Sequence, residues 1–243
     1  MHSKYAAALQ LWHEAFPGED DAFTKALFDL GYPEHFRYIE VEGELVCMLF
    51  ALPYPVKTDT GVVNARYLYA VATAKAHRGK GYAKALIAKL IREESPVFLR
   101  PMSPSLFDFY RAAGLSPLSP HGDYCGFAER GEIALRSLSP EEYLSVRERY
   151  LVPPYACMTP AFLSLAYLDG GAVTDDAGFA GLYEHREDLV LFKEWWGDLS
   201  LAPAVAAELG AKRFCVRFAK KDGVPFGMGH GLAPETVFLA ALD

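Results

Sequence analysis

Between Tyr67 and Ile91 the chain reads YLYAVATAKAHRGKGYAKALIAKLI, and this stretch limits the folds open to the whole. It begins as a strand, since Tyr67 to Thr73 are apolar, aromatic and β-branched. It ends as a helix: Leu86, Ile87, Leu90 and Ile91 recur at three and four residues, while Lys84, Lys89 and Arg92 take other faces. Between them lie Arg78-Gly79-Lys80-Gly81-Tyr82-Ala83. Two glycines at the mouth of a helix allow a tight turn and let a ligand reach the main chain. The first N–H groups of the helix have no internal partner, and the dipole there is positive. Strand, glycine turn and helix N-terminus together make a site for a phosphate or pyrophosphate. The competing expectation is a glycine-rich turn with no ligand.

Charge favours the ligand. The chain carries a formal net charge of −7, yet no Asp or Glu occurs from Thr60 to Arg92. That window holds Arg66, Lys75, Arg78, Lys80, Lys84, Lys89 and Arg92. A basic island in an acidic protein suits a small polyanion and not a nucleic acid, which needs a broader basic surface. For Lys89 and Arg92, a solvated helix face suffices.

The loop is neither Gly-x-x-x-x-Gly-Lys-Ser/Thr nor Gly-x-Gly-x-x-Gly, because Ala83 and Lys84 follow the second glycine. The spacing Arg78-x-x-Gly81-x-Ala83 resembles the coenzyme A loop of the GNAT acetyltransferases, Arg/Gln-x-x-Gly-x-Gly/Ala. Val71-Ala72-Thr73, followed by His77-Arg78-Gly79, is most similar to the Eis-type branch. The resemblance implies that acetyl-CoA is held by Val71, Ala72, Thr73, Arg78, Gly79, Lys80, Gly81, Tyr82, Ala83 and Lys84. It also implies that the strand splays before the loop, freeing the N–H groups of Val71, Ala72 and Thr73 for cofactor and thioester.

Phe109-Tyr110-Arg111-Ala112-Ala113-Gly114-Leu115 resembles the family's Phe-Tyr-x-x-x-Gly-Phe segment, with Leu115 in place of the final aromatic. In that family the tyrosine reaches the thioester sulfur, so Tyr110 is the expected acid for the departing thiolate. An ordinary amphipathic-helix tyrosine is the other reading.

The sequence predicts an α/β (α+β) protein, a mixed sheet flanked by helices, with the GNAT acyl-CoA fold and a second, degenerate GNAT-like half. The expected domains are 1–128, with the acetyl-CoA site, and 129–243, without a pyrophosphate loop. Helices are expected at 4–16, 21–29 and 105–113, with strands at 36–41, 44–52 and 97–100. Pro117 to Gly126, rich in Pro, Ser and Gly, reads as a connection. After it come a strand at 133–138, a helix from the Ser139 cap, a helix from Thr159-Pro160, strands at 171–174, 179–185 and 188–196, a helix at 202–209 and a strand at 213–219. This order repeats the first half, an unrelated α+β lobe being the alternative. Where the first half has its glycine pair, the second has Gly197-Asp198-Leu199-Ser200-Leu201, which carries an acid. Gly227 to Gly231 reads as a turn or flexible flap.

The four cysteines form no Cys-x-x-Cys, and the seven histidines show no metal spacing, so neither disulfide nor metal is expected. His77 borders the loop, where it either meets a phosphate or is solvated. No run approaches a membrane span and no signal peptide is evident, so a cytoplasmic protein is expected, as a monomer or homodimer. Trp195, Trp196, Glu194 and Asp243 are candidates for an acceptor side between the two halves. Glu40, Glu194 and the terminal carboxylate of Asp243 are candidates for a general base; the Eis-type enzymes place a C-terminal carboxylate near the site. The expected activity is transfer of acetyl from acetyl-CoA to a primary amine of a small molecule or peptide by direct attack. The alternative is a non-catalytic acyl-CoA sensor.

Overall fold

The computed structural model of the chain describes residues 2–240. It divides into two compact units. The first runs to Leu118 and takes back Gly227–Pro234; the second is Ser119–Phe226 with the segment from Glu235 onward. No helix among the described residues is long and apolar enough to cross a membrane.

The first unit contains α1 (His2–Ala15), α2 (Asp21–Gly31), β1 (Phe36–Val41), β2 (Glu44–Pro53), β3 (Val56–Thr58), β4 (Gly61–Val63), β5 (Arg66–Thr73), α3 (Tyr82–Glu94), β6 (Val97–Leu99) and α4 (Leu106–Ala112). Asp20 starts α2 by accepting the N–H groups of Ala22 and Phe23 at 2.8 and 3.0 Å. Gly31 ends it against β2, where a Cβ would come within 2.4 Å of the Phe50 ring. The β1–β2 hairpin turns through Glu42 and Gly43, both at positive φ. β2 is antiparallel to both β1 and β5, and β6 lies parallel to β5. Successive residues of β2 and β5 face opposite sides of the sheet. Leu49 and Leu68 join the cluster of Leu86, Ile87 and Leu90 from α3 with Tyr110 from α4. Phe50 and Tyr69 meet the rings of Phe28 and Trp12 from α2 and α1.

Two expectations for irregular segments are corrected. Met228, Gly229 and His230 pair antiparallel with Leu99, Phe98 and Val97, so the glycine-rich segment is a strand and not a flap. A Cβ at Gly229 would stand 2.3 Å from Leu118 Cδ2, so any side chain there would displace Leu118. The Pro117–Gly126 stretch is also a strand, β7 (Ser116–Phe127), whose antiparallel partner supplies the ladder from His121 to Phe127.

The second unit adds β8 (Arg136–Leu138), α5 (Pro140–Glu148), β9 (Tyr155–Ala156), α6 (Pro160–Ala166), β10 (Gly170–Thr174), β11 (Phe179–Arg186), β12 (Leu189–Gly197), α7 (Ala202–Glu208), β13 (Arg213–Ala219) and the start of β14 (Val224–His230). Ser139 and Glu142 close a capping box on α5. The sheet order is β7-β13-β12-β11-β10-β8, with β12 and β13 parallel. A bulge at Lys193 interrupts the β11–β12 ladder, and its ammonium lies 2.5 Å from the buried Glu184 carboxylate.

The cysteine expectation is corrected as well. Cys125 and Cys215 face each other across β7 and β13 and are joined as a disulfide. Ninety positions separate them, so their pairing follows from strand register and leaves no local spacing signal.

Candidate acyl-transfer site

β5 builds one wall of the site. Its ladder with β2 pairs Met48 with Ala72 and Phe50 with Tyr69, so Ala70 and Val71 together oppose Leu49. This is a bulge, and Ala70 takes a positive φ of 55° to make it. β5 pairs with β6 through Arg66–Val97 and Tyr67–Phe98; β6 ends at Leu99 while β5 runs on to Thr73. The β5 residues from Tyr69 to Thr73 therefore extend past the end of their parallel neighbour. Val71 and Thr73 are half-buried and Ala72 is buried.

The loop follows. Lys75–His77 forms a single 3-10 turn. Its entrance is held by the Glu14 carboxylate, which accepts the Lys75 N–H at 2.6 Å, and by Val46 O, which accepts the Ala74 N–H at 3.0 Å. Arg78 Nε donates to Thr73 O at 3.0 Å, so this side chain braces the turn. Gly79 and Gly81 stand at φ 77° and 83°, in the left-handed region where a side chain is strained. No heavy atom lies within 4 Å of a Cβ built on either, so the main chain is open to approach. Gly81 caps α3, a helix of 13 residues with no acid in its first turn. The N–H groups of Tyr82, Ala83 and Lys84 are therefore the unpaired donors of a helix N-terminus. Lys80 and Lys84 are exposed, and Tyr82 and Ala83 pack on the core. Far from the loop, Glu94 at the end of α3 takes Arg37 at 2.7 Å and Arg66 at 3.2 Å, tying the helix to β1 and β5.

Tyr110 sits on α4 and is 7 % exposed. Val71, Tyr82 and Ala83 pack against the same core cluster that includes Tyr110. Burial pushes the Tyr110 phenol up to about 12. His77 places Nε2 3.7 Å from the Glu44 carboxylate, while its buried Nδ1 has no partner.

The other candidates lie elsewhere. Glu40 is on β1, paired with Lys4, which also donates to the Tyr38 hydroxyl at 2.9 Å. Glu194 is fully buried in the second unit and takes Arg147 Nε at 2.6 Å, Arg147 Nη2 at 2.8 Å and the Tyr143 hydroxyl at 2.9 Å. Burial holds the Tyr143 phenol well above the ordinary range. Trp195 stacks on Phe179, and Trp196 donates to the Tyr143 hydroxyl at 3.3 Å. Asp243 lies outside the described residues. No cluster of metal-ligating side chains occurs among the described residues. Glu14 was not visible as a site residue from sequence, because nothing local marks a contact spanning 61 positions.

Residues 2–118 match the family model described as an acetyltransferase (GNAT) domain. No curated protein matches the chain. Among solved structures, a conserved protein of unknown function from Enterococcus faecalis, a probable N-acyltransferase, superposes with a TM-score of 0.67 at 17% identity, over 93% of this chain and 70% of that one. Eis1 from Mycobacterium abscessus gives 0.65 at 15% identity, over 97% and 70%. Saccharomyces cerevisiae N-myristoyltransferase with bound myristoyl-CoA gives 0.54 at 11% identity, over 94% and 75%. At these identities the likeness is one of fold.

Proposed function

We propose that the chain, whose residues 2–118 match the GNAT acetyltransferase domain model, is an acyltransferase that moves the acetyl group of acetyl-CoA to a primary amine of a small molecule or peptide. The observation that carries this reading is the left-handed Gly79–Gly81 pair, open on its outer side, ahead of an acid-free helix N-terminus. Such a cradle suits a pyrophosphate. Val71, Ala72, Thr73 and the segment 78–84 form the cofactor side, with Arg78 acting through its brace on Thr73 O.

In this reading the neutral amine attacks the thioester carbonyl directly, with no covalent enzyme intermediate. Backbone N–H groups at the splayed end of β5 stabilise the oxyanion that develops. Collapse breaks the carbon–sulfur bond and releases a thiolate, and the surplus proton on the attacking nitrogen passes to solvent. A phenol near 12 is more basic as its anion than an ordinary thiolate, whose acid titrates at about 8.5. Tyr110 therefore keeps its proton through the neutral range and serves as a hydrogen-bond donor to the departing sulfur.

The second unit takes no pyrophosphate in this reading. Its loop offers Gly197 alone, followed by Asp198, whose carboxylate accepts the Ser200 N–H at 2.9 Å. Calorimetric titration with coenzyme A should saturate at one equivalent per chain, and Gly81→Asp should abolish binding in a variant that still melts cooperatively. Unchanged affinity in folded Gly81→Asp, or two equivalents in the wild type, would overturn the assignment.

A further inference from the structure

The parallel β12–β13 ladder ends at the pair Phe192–Val216, while β12 runs on to Gly197 and β13 to Ala219. At these strand ends the second unit holds a recess of about 230 Å³, whose walls include Tyr150, Trp195, Trp196, Leu199, Phe218 and Ala219. Four of the six carry aromatic rings and none carries a charge. The Trp196 ring is fixed from behind, with the Arg147 guanidinium 5.6 Å from its centroid and its N–H on the Tyr143 hydroxyl. The charge of Arg147 is met by Glu194, and Asp198 spends its carboxylate on Ser200. Trp195 is 2 % exposed, and its indole N–H has no acceptor.

We propose that this recess is a binding site for a small uncharged organic ligand, about one ring or a short acyl chain in size. Aromatic walls favour a flat or apolar body. A charged ligand would leave water for a surface that offers no opposite charge. The proposal goes beyond the acetyl-CoA reading and does not depend on it, since every residue of the recess named above belongs to the second unit.

Two of the three tryptophans line the recess, so their emission reports occupancy. The full chain is titrated with phenethyl alcohol, phenethylamine and 3-phenylpropanoate, with excitation where only tryptophan absorbs. The alcohol should give a saturable change, and both ions should bind more weakly. Ala219→Leu, at an exposed position, fills the recess and should weaken the alcohol about 10-fold or more. Gly81→Asp should bind the alcohol as the wild type does, whatever it does to coenzyme A. No saturable response, tighter binding of either ion, or equal affinity in Ala219→Leu would overturn the proposal.

Discussion

The Glu14 carboxylate accepts the Lys75 backbone N–H at 2.6 Å, across 61 positions of sequence. Glu14 lies in the last turn of α1, and Lys75 opens the 3-10 turn before the glycine loop. α1 is itself anchored, because Trp12 is buried, packs on Phe28 and donates to Thr24 Oγ1 at 3.0 Å. Glu14→Ala removes the acceptor for an N–H at the start of a helical turn, a loss of about 1 kcal/mol. The expected result is a KM for acetyl-CoA raised about fivefold with kcat unchanged, if the loop binds cofactor and does no chemistry, as proposed. Glu14→Gln keeps an acceptor oxygen and should restore the wild-type KM. Steady-state kinetics of the three proteins check this; equal KM in wild type and Glu14→Ala would leave the contact without a role in binding.

The sequence makes β5, its loop and α3 legible because each rests on local physics: β-branched and aromatic residues, paired glycines, and a three-and-four apolar repeat. Tyr110 is legible by its place before Gly114, which takes a positive φ of 98°. The residues that cannot be read locally are those whose role depends on distant partners. Gly229 looks like a flexible joint until Leu118 is seen beside it. The Pro117–Gly126 stretch reads as a connection, yet β13 pairs with it from His121 onward. Glu194 looks like a candidate base until Arg147, 47 positions earlier, is found on both its oxygens.

Cys125 and Cys215 supply a test of the second unit's stability. A bond closing 90 positions restricts the unfolded chain, worth about 4.6 kcal/mol by loop-closure entropy. Intact mass should rise by about 2 Da on full reduction of this pair. Reduction should lower the melting temperature by several degrees, and Cys215→Ser should melt at the reduced temperature with or without reductant. Melting that ignores reductant in the wild type would show that the bond does not hold the sheet.

The Arg147–Glu194 pair is buried on both sides, at 2 and 1 % side-chain exposure. Removing one partner strands a charge in the interior, so Arg147→Met should cost about 3–5 kcal/mol in denaturant unfolding. Arg147→Met combined with Glu194→Leu removes both charges and should recover most of that loss. A double variant no more stable than Arg147→Met would mean that packing around the guanidinium, and not the uncompensated carboxylate, sets the cost.

Tyr110 offers a test that separates chemistry from packing. Tyr110→Phe keeps the ring in its cluster and removes only the hydroxyl, so the fold and the affinity for acetyl-CoA should be retained. Turnover should fall about 10²-fold if the hydroxyl stabilises the departing thiolate. Burial raises the phenol from about 10 to about 12. The neutral form is thus favoured in the folded state, and its stabilising effect is complete below pH 10 and is lost as pH rises through 12. That linkage is worth roughly 2–3 kcal/mol. Between pH 10 and 12 the unfolding free energy of the wild type should therefore fall more steeply than that of Tyr110→Phe. Any alkaline limb of kcat below pH 10 should persist in the variant, because Tyr110 is still protonated there. Unchanged turnover in Tyr110→Phe, with acyl transfer shown to be rate-limiting, would remove the hydroxyl from the mechanism. A wild-type limb near pH 8 that vanishes in the variant would show that the phenol titrates far lower than its burial dictates.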